Sequence, residues 1–224
     1  MLSLAMRQKQ QQAQAIQTAE RVPYSPETAF ATLANAKQLC QLQLRGLRVD
    51  LEALKKLQGY HTKADYKRQL IPKYLDYIDR YLASNWQHPN EVLVYLVIWH
   101  FDTNQLAKGL ALAEIAIQQQ QPMPEHFRRR DMATFVCDEV LQKVERQIDG
   151  ADALYIQTLA YIETGQWDVV REVKARFFKL AAIQAEEKNQ LETALAYFEK
   201  AHGCWEKIQV KTKLEKLRKK LTNH

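Results

Sequence analysis

Apolar residues recur along this chain at the spacing of amphipathic helices, and the densest apolar run lies at 95–124. One apolar segment in this run ends at the polar residues Asp102, Thr103 and Asn104. A second segment begins at Gln105 and stops at Pro122, because proline disfavours helix in the residue before it. The pattern predicts an antiparallel helical hairpin, buried on most sides, that supplies a core for its neighbours.

The residues 24–84 predict long amphipathic helices. Ser25 is a suitable N-cap and Pro26 suits the first helical position, so we expect a helix to begin here. The apolar residues that follow are spaced alternately by three and four, interrupted by Lys37, which is the period of a coiled coil. Two interpretations stay open, an ordinary core helix and an oligomerisation seam. The seam comprises Phe30, Leu33, Cys40, Leu44, Leu47, Leu51 and Leu54.

Gly59 is expected to end this helix and Thr62 to cap the next one, which runs to Pro72. A further, aromatic-rich helix is expected at 72–83. The order helix, glycine turn, helix is that of a DNA-reading helix-turn-helix, but Asp65 stands where that motif needs an apolar residue. For this segment we therefore keep two interpretations, contact with DNA phosphates and a solvated helix face.

The residues 90–221 predict an array of helical hairpins that ends in a basic amphipathic helix. Polar turns with Asn104, Gly165 and Asn189 at their centres each separate two apolar helices, and 191–201 looks like the second helix of a tetratricopeptide repeat. The repeat spacing is irregular, so we predict a tetratricopeptide-like array and make no claim of a peptide-binding groove. The residues 1–23, which include a Gln cluster, predict an N-terminal arm that is either frayed or packed on a neighbouring subunit.

Composition favours an all-α fold, since the 224 residues include only 6 Gly and 6 Pro and are dominated by helix-forming types. No run of 18 apolar residues occurs, so we expect no membrane span and a cytoplasmic protein. The three cysteines, Cys40, Cys137 and Cys204, lack Cys-x-x-Cys spacing, which is typical of reduced thiols.

The formal net charge of +6 indicates a polyanionic partner, although many soluble proteins of this charge bind none. The cations concentrate in three segments, at 45–68, 128–130 and 207–220. Each segment is either a phosphate-binding surface or, as the simpler alternative, a solvated face or a set of salt bridges. The candidate DNA-binding residues are Arg45, Arg48, Lys55, Lys56, Lys63, Lys67, Arg68, Arg128, Arg129, Arg130, Lys213, Lys216, Lys219 and Lys220.

The patterns that support catalysis are missing from this sequence. It contains no glycine-rich loop ending in Lys-Ser or Lys-Thr, no His-Glu-x-x-His pair and no Gly-x-Ser-x-Gly turn. We therefore expect no catalytic residues, no metal ligands and no cofactor.

Several short blocks occur in a characteristic order. They are 70–75 (Leu-Ile-Pro-Lys-Tyr-Leu), 97–103 (Val-Ile-Trp-His-Phe-Asp-Thr), 107–116, Met123-Pro124, His126 with Arg128-Arg129, and Ala194-Leu195-Ala196. Taken together, from about Tyr24 to Leu217, these blocks resemble the small terminase subunit of P-two-like tailed phages.

The resemblance implies a non-catalytic component of a phage genome-packaging motor. Such a protein recognises double-stranded phage DNA and brings it to the large terminase subunit, which carries the ATPase and the nuclease. The resemblance also implies a homo-oligomer, in general a ring, in the cytoplasm of the infected host. The alternative is a tetratricopeptide-like protein-interaction scaffold that does not bind DNA.

Overall fold

The protein is described by a computed structural model over residues 22–127 and 131–222. This part of the chain contains α-helices, two short 3-10 helices (Glu125–Phe127 and Glu206–Ile208) and no strand. The predicted all-α fold is confirmed. The helices are α1 Leu33–Lys56, α2 Tyr60–Ala83, α3 Glu91–Asp102, α4 Leu106–Gln118, α5 Met132–Glu145, α6 Ala151–Glu163, α7 Arg171–Glu187, α8 Leu191–Cys204 and α9 Lys211–Thr222.

The chain divides into two compact units. The described part of the first unit contains 22–105 and Gln118–Pro122, and that of the second contains Leu106–Ile117 and the residues from Met123 onward. The helices expected within the 95–124 run are both present, as α3 and α4, but they belong to different units and are not a closely packed pair, so the predicted hairpin with a common core is wrong. The division between the units falls at the turn between them, inside the segment 90–221 that the sequence pattern assigned to one array.

Helix α3 is the centre of the first unit. It packs against both α1 and α2, and each of its residues from Val92 to Phe101 is buried. A helix that is apolar on all sides is stable only when neighbours cover every side. Asn90 begins the helix, because its side-chain oxygen accepts a hydrogen bond from the Leu93 N–H at 3.2 Å.

A buried carboxylate joins α1 to α2. Asp50 accepts hydrogen bonds from the Tyr74 hydroxyl and from the Lys73 ammonium, the latter at 2.7 Å. Burial and the bond to Asp50 raise the pKa of Tyr74, so its phenol stays protonated and remains a donor. The Asp50 charge is thereby satisfied inside the core, as a buried charge must be.

Two glutamines of the run after α4 complete the first unit. The Gln121 side chain accepts from the Asn90 N–H at 2.6 Å and donates to the His88 carbonyl at 2.9 Å. Gln119 accepts from the Tyr81 hydroxyl at 2.8 Å. These bonds satisfy buried backbone groups ahead of α3, which explains why Gln118–Pro122 belongs to this unit.

Three helix boundaries in this unit differ from the prediction. The helix expected at Ser25 begins at Leu33 with Thr32 as its N-cap, while Ser25 and Thr28 bond reciprocally in the turns before it. Thr62 is not a cap, because α2 begins directly after Gly59, whose φ of 83° suits glycine.

Pro72 does not separate two helices and lies inside the single helix α2. A proline inside a helix costs about 3 kcal/mol. Burial of Leu70, Ile71 and Tyr74 on either side of Pro72 offsets that cost.

In the second unit, α7 packs most extensively against α8, and α5 contacts both α6 and α7. Polar bonds add to this packing. Glu114 of α4 accepts from the Tyr161 hydroxyl of α6 at 2.6 Å, and Arg176 of α7 pairs with Asp138 of α5 at 2.7 Å. The helical pairing agrees with the predicted hairpins, whereas the tetratricopeptide-like character of this half stays a prediction.

The three recurrent polar turns share one backbone device. Their central residues, Asn104, Gly165 and Asn189, have φ values of 59°, 73° and 57°. In the last of them the Asn189 and Gln190 N–H groups donate to the Glu186 and Ala185 carbonyls at 3.0 and 2.9 Å. This is the left-handed ending that glycine and asparagine adopt after a helix.

We expect Asn189→Ala to lower the free energy of unfolding by about 1 kcal/mol, because alanine is strained at positive φ. Asn189→Gly should leave it unchanged or raise it slightly. Urea unfolding followed by circular dichroism measures both. Equal stabilities of the alanine and glycine variants would contradict this account of the turn.

Candidate nucleic-acid interface

One exposed face of α1 carries a line of cations, which we call the α1 basic stripe. It consists of Lys37, Arg45, Arg48 and Lys55, residues whose spacing returns to the same side of a helix, and all four are exposed. Lys37, Arg45 and Arg48 make no ion pair or hydrogen bond with the described residues. Lys55 pairs with Glu52 at 2.6 Å, but this pair is exposed and such pairs contribute little. The stripe is therefore available to an anion.

The remaining candidates in this unit divide into two groups. Lys56 is exposed and Lys63 half-buried, and within the described residues neither has an ion-pair partner. Lys67 and Arg68 both have partners within the protein, but only the Lys67 pair is shielded from solvent. Arg68 pairs with Asp65 on its own helix and lies 3.5 Å from the Thr103 carbonyl.

The ion pair of Lys67 is better shielded from solvent than that of Arg68. Its ammonium lies 2.6 Å from the Asp102 carboxylate at the end of α3, and both side chains are mostly shielded from solvent. The Tyr60 hydroxyl donates to the Asp102 carbonyl at 3.1 Å. Because the carboxyl end of a helix carries partial negative charge, a cation here stabilises α3. Lys67 therefore stabilises the first unit, and its pairing with Asp102 makes it less available for the predicted contact with DNA.

Helix α9 presents a second basic surface, in the other unit. Leu214 and Leu217 are buried on one side, while Lys213 and Arg218 are held by Glu186 and Glu199 at 2.8 and 2.7 Å. The cations that stay exposed and have no described partner define the α9 basic surface. They are Lys211 at the start of the helix and the predicted DNA contacts Lys216, Lys219 and Lys220. The pair of Lys213 with Glu186 is partly exposed and therefore weak, so the DNA contact predicted for Lys213 stays a prediction.

The predicted arginine cluster, Arg128, Arg129 and Arg130, and the N-terminal arm at 1–21 lie outside the described residues.

The apolar seam predicted for oligomerisation lies mainly in the core of the first unit. Cys40, Leu44, Leu47 and Leu54 are buried, and burial raises the pKa of the Cys40 thiol. The other members, Phe30, Leu33 and Leu51, are half-buried. This favours the core-helix interpretation of the seam, whose spacing is explained by contacts within the chain.

No group of three His, Cys, Asp or Glu side chains is arranged to hold a metal ion within 22–127 and 131–222. In the same ranges no helix combines the length and the apolar composition that a bilayer span requires. Cys40, Cys137 and Cys204 are free thiols.

Comparison with known proteins identifies the family. The model of the phage small terminase subunit family matches residues 44–171, more than half of the chain. The chain belongs to this family. The matched region contains three members of the α1 basic stripe, Arg45, Arg48 and Lys55, and does not reach α9.

Two phage proteins are similar to this small terminase family member over most of its length. The "Probable terminase, endonuclease subunit" of Haemophilus phage HP1 is 30% identical over 185 residues, which cover 80% of this chain and 64% of that protein. The "Terminase, endonuclease subunit" of Escherichia phage P2 is 25% identical over 178 residues, covering 78% of this chain and 71% of that protein. The match thus spans less than two thirds of the Haemophilus phage protein. No solved structure matches the chain.

Sequence reasoning missed Lys37 as a member of the basic stripe. In the apolar pattern Lys37 is only an interruption of the seam. Its sequence spacing from Arg45 and Arg48, however, places it on their side of the helix. Helical periodicity applied to the charged residues, and not only to the apolar ones, finds it.

We expect Lys67→Ala to lower the free energy of unfolding by about 1 to 2 kcal/mol, since it leaves the Asp102 carboxylate partly buried and unpaired. Lys63→Ala, one turn away on the same helix, is the matched control and should change stability by less than about 0.5 kcal/mol. Thermal unfolding of both variants tests this. Equal effects would mean that the Lys67 ion pair does not stabilise the unit.

Proposed function

We propose that this chain is a non-catalytic DNA-recognition and adaptor component of a phage genome-packaging motor. It binds double-stranded phage DNA and brings it to the large terminase subunit, whose ATPase and nuclease process it. The match to the small terminase subunit family carries this proposal. Its place of action is then the cytoplasm of the infected host cell.

The α1 basic stripe supports the DNA-binding part of the proposal. Its cations lie on one side of a single α-helix, are exposed, and mostly lack competing carboxylates among the described residues. Cations in this arrangement neutralise successive phosphates and release bound counterions. The α9 basic surface offers a second contact of the same kind through Lys216, Lys219 and Lys220.

Such contacts position a protein on DNA without reading its sequence. The segment around the turn between α1 and α2 does not favour base readout. Asp65, which stands where a helix-turn-helix needs an apolar residue, is exposed and ion-paired with Arg68. We therefore assign phosphate contact to the two basic surfaces. Selection of a packaging site is assigned to the assembled complex, in which many copies act on one DNA.

The adaptor role requires a homo-oligomer, which we propose to be a ring, and a contact with the large terminase subunit. A single copy has few free cations on each surface, so its affinity for DNA at physiological salt is low. Several copies bound to one duplex raise the local concentration of the remaining sites. Oligomerisation thus turns a weakly basic subunit into an effective DNA-binding component.

Both phage relatives carry the words "endonuclease subunit" in their names. These words describe those proteins as parts of a terminase, and for the present chain we propose that cleavage belongs to the large subunit. The alternative, a nuclease active in this chain alone, is separated from the proposal by direct assay.

We expect Lys37→Gln with Arg48→Gln to weaken binding to double-stranded phage DNA. The slope of log affinity against log salt should become shallower by roughly 1 to 2, because each phosphate neutralised contributes about 0.9. Fluorescence anisotropy over a range of NaCl concentrations measures this. A parallel variant, Lys216→Gln with Lys219→Gln and Lys220→Gln, tests the α9 basic surface.

The matched control is Lys188→Gln with Lys207→Gln, two exposed cations outside both surfaces that remove the same net charge. Relative to wild type, the salt slope of this control should fall by less than half as much as that of the stripe variant. Wild-type protein that ignores DNA at low salt would contradict the proposal and favour the tetratricopeptide-like scaffold.

We expect the purified chain to leave supercoiled and linear phage DNA intact in the presence of Mg²⁺ or Mn²⁺. Cleavage should appear when the large terminase subunit is added. Gel electrophoresis of the DNA is the measurement. Nuclease activity that elutes with the purified chain, and is retained after a second independent purification step, would overturn the non-catalytic assignment.

A further inference from the structure

Helix α1 carries a second apolar line, beside the basic stripe and away from the buried seam. We call it the open seam, and it comprises Leu39, Leu42, Gly46, Val49 and Ala53. Leu42 is 44% exposed and Val49 is 69% exposed, although both are large apolar residues. The other three members are half-buried. Gly46 lies at the border with α2, since a Cβ built on it would be 3.8 Å from the Tyr74 hydroxyl. Apolar side chains aligned at seven-residue spacing on an open helix face indicate a missing packing partner.

The spacing of the open seam is the alternation of three and four residues that two packed helices require. This alternation runs without interruption from Leu39 to Ala53, whereas the buried seam is interrupted at Lys37. The seam is too short for its length to identify the partner. The sizes of its side chains are more informative.

The open seam is complementary to itself when one copy is reversed. Reversal about the bond between Leu47 and Arg48 places Leu42 opposite Ala53 and Val49 opposite Gly46. The layers formed by Leu42 with Ala53 and by Val49 with Gly46 then each pair a large side chain with a small one, which lets the helices approach closely and fills the space between them. Leu39 lies at the end of the contact, opposite Lys56 of the other copy. An arbitrary partner protein would not explain why large and small residues are exchanged in this symmetric way.

We infer that the open seam is an interface between two copies of this chain, whose α1 helices pack antiparallel along a twofold axis. This inference rests on the homo-oligomer of the proposed function and names one of the surfaces that join its copies. A twofold contact of this kind is closed, so the same patch is used on both copies. Larger assemblies then need at least one further surface.

The charged flank of the open seam fits the same arrangement. Arg45 and Glu52 lie on one side of the seam, about two helical turns apart. In the antiparallel pair, Arg45 of one copy lies beside Glu52 of the partner copy, and the symmetry repeats this contact. The existing pair between Glu52 and Lys55 is exposed and weak, so it does not prevent the exchange.

Opposite charges placed in the seam provide the test. Leu42→Glu with Val49→Glu gives an acidic variant, and Leu42→Lys with Val49→Lys gives a basic variant. Both sites are exposed, so helical content and thermal unfolding should stay close to wild type. Ile156→Glu, at a site that is 66% exposed on α6, is the control for adding charge at an open apolar residue.

Sedimentation velocity over a range of protein concentrations gives the mass of each sample. We expect either charged variant alone to raise the dissociation constant for self-association by roughly 100-fold or more. An equimolar mixture of the acidic and basic variants should associate again, because each layer then brings unlike charges together. The Ile156→Glu control should keep the wild-type mass.

The inference is overturned if both variants keep the wild-type mass, or if the mixture fails to associate after each variant alone has dissociated. The second result would assign the open seam to another occupant, such as the residues 1–21 or a different protein. A wild-type monomer at all concentrations would overturn it together with the proposed homo-oligomer. The DNA-binding part of the proposed function is judged separately, by the salt titration.

Discussion

Complete burial of α3 constrains the rest of the first unit. Because every residue from Val92 to Phe101 is covered, the neighbouring helices must turn apolar faces toward it, and α1 and α2 do so. The polar groups ahead of α3 are satisfied by Asn90 and Gln121, and its far end is met by Lys67. Asn90, Gln121 and Lys67 are thereby occupied in stabilising one helix.

Helix α1 shows how the remaining surface is distributed. One side supplies the core, a second side carries the basic stripe, and a third side carries the open seam. A single helix of 24 residues thus serves folding, the proposed phosphate contact and the proposed contact between copies. Arg45 borders both the basic stripe and the open seam, so substitutions that separate the two proposed contacts are best made at Lys37 and Arg48 for the stripe and at Leu42 and Val49 for the open seam.

The all-α fold, the central helix and the positions of the polar turns followed from the sequence, because apolar periodicity and asparagine at a helix end are local signals. Pro72 was misjudged, since its local cost is outweighed by packing that no local pattern reveals. The role of Lys67 was also hidden, because its partner Asp102 lies 35 residues away in the chain. For the same reason sequence spacing alone did not distinguish the buried seam of α1 from the open one.

The position of Gln119 and Gln121 bears on how the first unit could be studied alone. A fragment ending at Gln105 would contain all three of its helices but would lose the acceptor of the Asn90 N–H and one of the two donors to the His88 carbonyl, the other being the Tyr81 hydroxyl at 3.3 Å. The Asn90 N–H lies ahead of the most buried helix, where an unsatisfied polar atom is costly. The first unit is therefore not a contiguous piece of chain, and excising it intact requires a graft that brings Gln118–Pro122 back to the fragment.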